Sequence, residues 1–135
     1  MKKKLSLLSV IIWMILIFIM SSFSASNSNN QSSFIVTIIS HFFNIANPEL
    51  LNYVIRKLAH ITEYLILGML TINMINNYHK PHYYAIIICT LYAISDEIHQ
   101  LYIPGRTCQI KDIVIDIIGS LIGIYLLHKQ RNKLT

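Results

Sequence analysis

Apolar residues fall into four blocks along the chain, roughly Leu5–Met20, Leu51–Ile75, Tyr83–Ile103 and Ile110–Leu127. A helix crossing a hydrocarbon core needs about 20 mainly apolar residues, within a range of roughly 17–25. The pattern therefore predicts four transmembrane helices, at about 5–22, 51–75, 83–103 and 110–127. A soluble bundle needs polar outer faces, and the first, third and fourth blocks are apolar all round. Between the first two blocks, Ser24 to Ser33 is almost wholly Ser and Asn and reads as a solvated loop. The apolar run Phe34–Phe43 that follows is too short to cross. It suits a short helix lying at the outer interface. Pro48 marks the start of the next helix, because proline is tolerated in a first turn. The expected fold is an all-α membrane protein: a four-transmembrane-helix bundle in one domain, with a short interfacial helix between the first and second spans.

Composition agrees, with 54% hydrophobic and 13% charged residues among 135. The net charge of +5 does not point to nucleic acid, because of where the bases lie. Lys2, Lys3 and Lys4 precede the first block, Lys80 separates the second from the third, and Lys129, Arg131 and Lys133 follow the fourth. Four spans with both termini in the cytoplasm would place all seven on the positive side. All six acids (Glu49, Glu63, Asp96, Glu97, Asp112, Asp116) then lie towards the outside, with Arg56, Lys57, Arg106 and Lys111. The basic start and apolar run also resemble a signal peptide. An uncleaved first span is the preferred reading, since three remaining spans would leave the C-terminal bases outside. Cys89 and Cys108 are separated by roughly 20 Å of helix, too far for a disulfide, and lack zinc-site spacing.

Ionisable groups at membrane depth are costly and mark functional sites. In the second block, Arg56, His60, Glu63 and Leu67 share one helical stripe, flanked by Lys57 and Tyr64. In the third, Asp96 and Gln100 lie one turn apart with His99 adjacent, whereas Glu97 points about 100° away. Pro104-Gly105 ends that helix, and Arg106 and Lys111 roof the cluster from the connecting turn. In the fourth, Asp112 and Asp116 share a face, continued by Gly119-x-x-x-Gly123, small residues that let backbones touch. Helix rise puts these groups at a similar depth, about 10–14 Å from the outer ends. Arg56, His60, Glu63, Asp96, Glu97, His99, Gln100, Arg106, Asp112 and Asp116 are thus the candidate residues of an outward-facing polar pocket.

With these residues in view, the chain resembles the VanZ-like family of small membrane proteins. The resemblance rests on Trp13 with Ile17 to Ser22, the run Arg56 to Tyr64, Asp96-Glu97-Ile-His99-Gln100, Pro104-Gly105-Arg106, and Asp112-x-x-x-Asp116-x-x-Gly119. It implies a four-span protein of the bacterial plasma membrane. It also implies a link to low-level resistance to the glycopeptide teicoplanin, the association of the family's name-giving member.

Three functions are compatible with the residues. A non-enzymatic envelope protein would bind a lipid headgroup, a lipid-linked wall precursor or a lipoglycopeptide in the pocket, and this reading leads. An intramembrane enzyme acting on a lipid-linked phosphate or glycan would use His60 or His99 as acid or base and Arg56 or Arg106 to hold an anion. No cofactor is expected; a metal-assisted version would use His60, Glu63, Asp96 and His99 as ligands of a divalent ion. A proton path is disfavoured by the nearly uncharged inner halves of the helices. Homo-oligomerisation through Gly119 and Gly123 is open.

Overall fold

The computed structural model describes residues 2–42 and 47–132. Phe43, Lys133 and the initiating Met1 lie outside the described residues. The order is α1 (Lys2–Ser21), α2 (Ala25–Phe42), α3 (Pro48–Ile75), α4 (Pro81–Gln100) and α5 (Ile110–Asn132). The fold is all-α among the described residues. Among the described residues two helices, Lys4–Ser21 of α1 and Pro48–Ile75, are long and apolar enough to cross a membrane, against four expected. The difference has a physical source: acids and other polar residues interrupt the apolar runs of α4 and α5.

Those interruptions face inward. Asp96, Glu97, Gln100, Asp112, Asp116 and Ser120 are all buried. Leu91 and Tyr125, by contrast, are each about 60% exposed, and Ile98, Val114 and Ile118 are close to half exposed. α1 shows large apolar side chains on most of its surface, from Leu5 to Met20. The molecule thus has apolar flanks and buries its polar groups between the helices, an arrangement consistent with a helical protein of the membrane.

The stretch from residue 25 to 33 departs from expectation, because it is helical rather than a loop. Its hydroxyls explain how a Ser/Asn run sustains a helix. Ser32 Oγ donates to the Ser28 carbonyl and Thr37 Oγ1 to the Ser33 carbonyl, each at 2.9 Å, so they bond the preceding turn instead of competing with it. The interfacial segment is consequently the second half of an 18-residue helix. Asn47 caps α3 by accepting from Leu50 N at 3.0 Å, and Pro48 fills the first helical position.

α3 touches each of the other four helices and is the centre of the bundle. Its closest partner is α5. Contacts advance together along both helices, from Lys57 with Asp112 to Ile61 with Gly119 and Leu65 with Gly123, so the two run parallel. Gly119 and Gly123 are buried in this seam. A Cβ on Gly119 would lie 2.6 Å from the Ile61 carbonyl oxygen, and one on Gly123 would overlap the Leu65 carbonyl. Gly68 of α3 meets Ser120 in the same manner from the other side. The glycine pair therefore packs α5 within the chain, and it does not present a face for self-association.

α1 is docked through main-chain acceptors. Trp13 Nε1 donates to the Glu63 carbonyl at 2.9 Å, and Tyr92 OH donates to the Met14 carbonyl at 2.5 Å. Both cysteines are free, Cys89 buried and Cys108 exposed. Away from the polar end, Ile72, Ile75, Ala85 and Ile124 close the interior with apolar packing.

The α3–α5 seam makes a stability prediction. Gly119→Ala should cost about 1–3 kcal/mol, as overpacking against a rigid backbone does. Ser95→Ala at an exposed position should leave the unfolding midpoint in detergent unchanged. Equal midpoints for the two variants would show that the seam is not tightly packed.

Candidate functional site

The polar end of the bundle is built by the first half of α3, the last turn of α4, the first turns of α5 and the 101–109 connector. Ile103–Arg106 forms a tight turn in which Arg106 N donates to the Ile103 carbonyl at 3.1 Å. Pro104 and Gly105, with φ of 76° at the glycine, supply the residues that a type II turn demands. The turn sends the Arg106 side chain back over the helices. Its Nε donates to the Phe23 carbonyl at 3.0 Å, and its guanidinium donates to Gln100 Oε1 at 3.1 Å. Gln100 in turn donates to Asp96 Oδ2 at 3.2 Å. A chain of hydrogen bonds thus runs from Asp96 through Gln100 and Arg106 to the segment after α1.

The acids of α5 meet the bases of α3. Lys57 pairs with Asp112, and His60 Nδ1 lies 3.4 Å from Asp116 Oδ1. Asp116 is fully buried, and among the described residues neither of its oxygens has a hydrogen-bond partner beyond this loose contact with His60. The His60–Asp116 contact is accordingly the least satisfied polar pair of the cluster. Glu97 occupies a different place. Its side chain is fully buried and accepts from the backbone N–H of Gln109 at 2.8 Å, tying the end of α4 to the connector just before α5.

Two adjoining cavities open at this end, of about 180 and 260 Å³. Arg56, His60 and Arg106 line both. Glu63 lines the smaller one, and Gln100 and Asp112 the larger. Asp96, Glu97, His99 and Asp116, the other four sequence candidates, do not line either cavity. Asp96 and Asp116 support wall residues, Glu97 fixes the connector, and His99 turns towards α1. There its Nε2 lies 3.1 Å from Ser22 Oγ and its ring stacks on Phe18 at 4.2 Å. This separates His99 from His60. Among the described residues no three His, Cys, Asp or Glu side chains are grouped to hold a metal ion. The ligand set His60, Glu63, Asp96 and His99 is therefore not assembled.

Arg56 and Arg106 line both cavities, joined by Glu63 in the smaller and by the paired Lys57 and Asp112 in the larger. Burial, and then the proximity of the Arg56 guanidinium, lower the pKa of Arg106 from its usual value, while Asp96, Glu63 and Glu97 oppose the shift. Arginine remains charged through such shifts. Two like charges held beside one cavity favour an anion between them.

The model of the VanZ/LLP1 family matches residues 6–130. The chain belongs to that family. No curated protein and no solved structure matches it. The match covers α2, α3 and α4 whole and all but the outer ends of α1 and α5 in this VanZ/LLP1 chain, so its polar end falls wholly inside the matched region.

Several participants carry little mark in the sequence. Lys57 is a flanking residue on the stripe, yet it is the partner of Asp112. Gln109 acts through its backbone N–H, which no side-chain pattern marks. Ser22 reads as the end of an apolar run until the fold brings it to His99. Lys111 is exposed and stands outside the hydrogen-bonded cluster.

The Lys57–Asp112 pair can be tested by a double-mutant cycle. Lys57→Met should destabilise the protein by on the order of 3 kcal/mol, because it leaves the buried Asp112 carboxylate unpaired. Lys57→Met combined with Asp112→Leu should recover most of that loss in the unfolding midpoint. Additive losses would dissolve the pair.

Proposed function

We propose that this membrane-associated VanZ/LLP1 protein crosses the plasma membrane four times through α1, α3, α4 and α5, with α2 at the outer interface and both termini in the cytoplasm. At about 1.5 Å per residue, 20-residue helices reach the roughly 30 Å of a hydrocarbon core. The outward apolar faces of α4 and α5 and the bases at the end opposite the polar cluster support this topology. In it, the polar cavities open to the outer face.

Their function is to bind an anionic headgroup, carried by a lipid or by a lipid-linked wall precursor, and so to alter access of glycopeptide antibiotics at the outer leaflet. The observation that carries this reading is the pairing of Arg56 and Arg106 along the wall shared by the two cavities. Arginine's planar fork suits phosphate and carboxylate groups. Behind the wall, Gln100 and Asp96 hold Arg106 in place.

His60 favours a second reading, an intramembrane enzyme acting on a lipid-linked phosphate or glycan. Asp116 lies beside Nδ1, which leaves Nε2 as the edge that could take a proton from water at a bound phosphoester. Release of inorganic phosphate from such a lipid by the purified protein, lost in His60→Gln, would select this reading. Absence of turnover with retained binding would select the first.

Expression in a susceptible host should raise the teicoplanin concentration needed to stop growth, and Arg106→Gln, His60→Ala or Asp96→Asn should abolish the increase. Unaltered resistance in all three, at equal protein levels in the membrane, would remove the cavity from the effect.

A further inference from the structure

The two cavities have opposite characters on either side of their common wall. The smaller lies beneath α2 and is lined mainly by the apolar surface of Met20, Ile35, Ile55 and Ala59, with Ser21, Glu63 and, from α2, Ser28 and Ser32 at its edge. The larger is bounded by Gln100, Thr107 and Gln109, together with the Lys57–Asp112 pair. A wholly water-soluble anion would leave the apolar surface of the first unused, and a wholly apolar molecule would leave the arginines between them unused. The shape is that of a site for an amphiphile.

We infer that the ligand is a phosphate-bearing amphiphile seated across the Arg56–His60–Arg106 wall. Its phosphate lies on the two guanidiniums, the first methylenes of its chain lie under α2, and an uncharged hydroxyl-rich substituent lies in the larger cavity. This rests on the proposed anion-binding role of the same wall and adds the class of molecule and its direction.

Three observations carry the orientation. First, Arg106 is held by two hydrogen bonds, to Phe23 O and Gln100 Oε1, which use two of its five N–H donors. The remaining donors are available to an oxyanion without breaking the turn. Secondly, α2 contacts α3 and no other helix among the described residues, so the apolar cavity has a wall attached along one side. Phe34, Ile35 and Ile38 of α2 are about half to two-thirds exposed and extend the apolar surface around it. A chain can reach the cavity from the hydrocarbon phase without passing through water. Thirdly, the carboxylate in the larger cavity, Asp112, is engaged by Lys57. A cationic headgroup amine therefore has no anion there, whereas hydroxyls find the amides of Gln100 and Gln109 and the hydroxyl of Thr107.

The test is native mass spectrometry of the full chain in dodecyl maltoside, titrated with short-chain probes. Dihexanoyl phosphatidylglycerol should give a one-to-one adduct at concentrations at least tenfold lower than dihexanoyl phosphatidylcholine or glycerol phosphate, and dihexanoylglycerol should give none. Arg106→Gln should weaken phosphatidylglycerol and glycerol phosphate alike by tenfold or more. Ala59→Phe, which fills the apolar cavity, should weaken only the lipid. Circular dichroism reports folding, and Arg56→Gln replaces Arg106→Gln should the latter fail to fold. Glycerol phosphate binding as tightly as the lipid, or Ala59→Phe leaving the lipid unaffected, would overturn the amphiphile and keep the anion site. Equal binding of phosphatidylcholine would remove the preference for a hydroxyl-rich substituent. Failure of every phosphate probe, or equal binding of dihexanoylglycerol, would overturn both the inference and the anion-binding role.

Discussion

Close contact between α3 and α5 is the constraint on which the other parts depend. Three glycines let the two backbones approach to a distance that no side chain would permit. That approach sets the register. It places Asp112 against Lys57 and Asp116 against His60, which would otherwise be separate charges inside an apolar molecule. The seam is thus both an apolar packing device and the means by which buried acids find bases. Loosening it would expose their desolvation cost at once, since each acid has its nearest base on the facing helix.

Much of the fold is legible because long apolar runs announce helices. Apolar runs in α1, α3, α4 and α5, with Pro48 at one of the starts, locate those four helices to within about five residues at each end. The Ser/Asn stretch before Phe34 is the opposite case. Composition alone reads it as a loop, whereas Ser32 and Thr37 bond back to their own helix and Ser32 and Val36 are buried. Local polarity says little about helix formation when hydroxyls can be satisfied within the same turn.

The candidate residues divide in a similar way. Helical spacing is enough to gather Arg56, His60 and Glu63 on one face, and Asp112 with Asp116 on another. It says nothing about which groups reach the cavities and which stand behind them. Glu97 shows why. Its offset of about 100° from Asp96 is readable, but its partner is a main-chain N–H twelve residues later, in a connector whose path depends on the turn at Gly105. His99 is similar, because its surroundings come from α1, distant in sequence. Local patterns report faces, and only the packing of helices reports who sits opposite.

Residues 101–109 are gripped at Gln100 by Arg106 and at Glu97 by Gln109, so both ends are clamped to the same turn of α4. The segment behaves as a gauge of fixed length. Exposed positions along it, such as Tyr102 and Cys108, have room for other side chains. An added or deleted residue has no such room, because it would shift the guanidinium and the first turn of α5 out of step with each other. The length of this short bridge, more than the identity of its outer residues, therefore limits how far sequences can drift while keeping the same polar end.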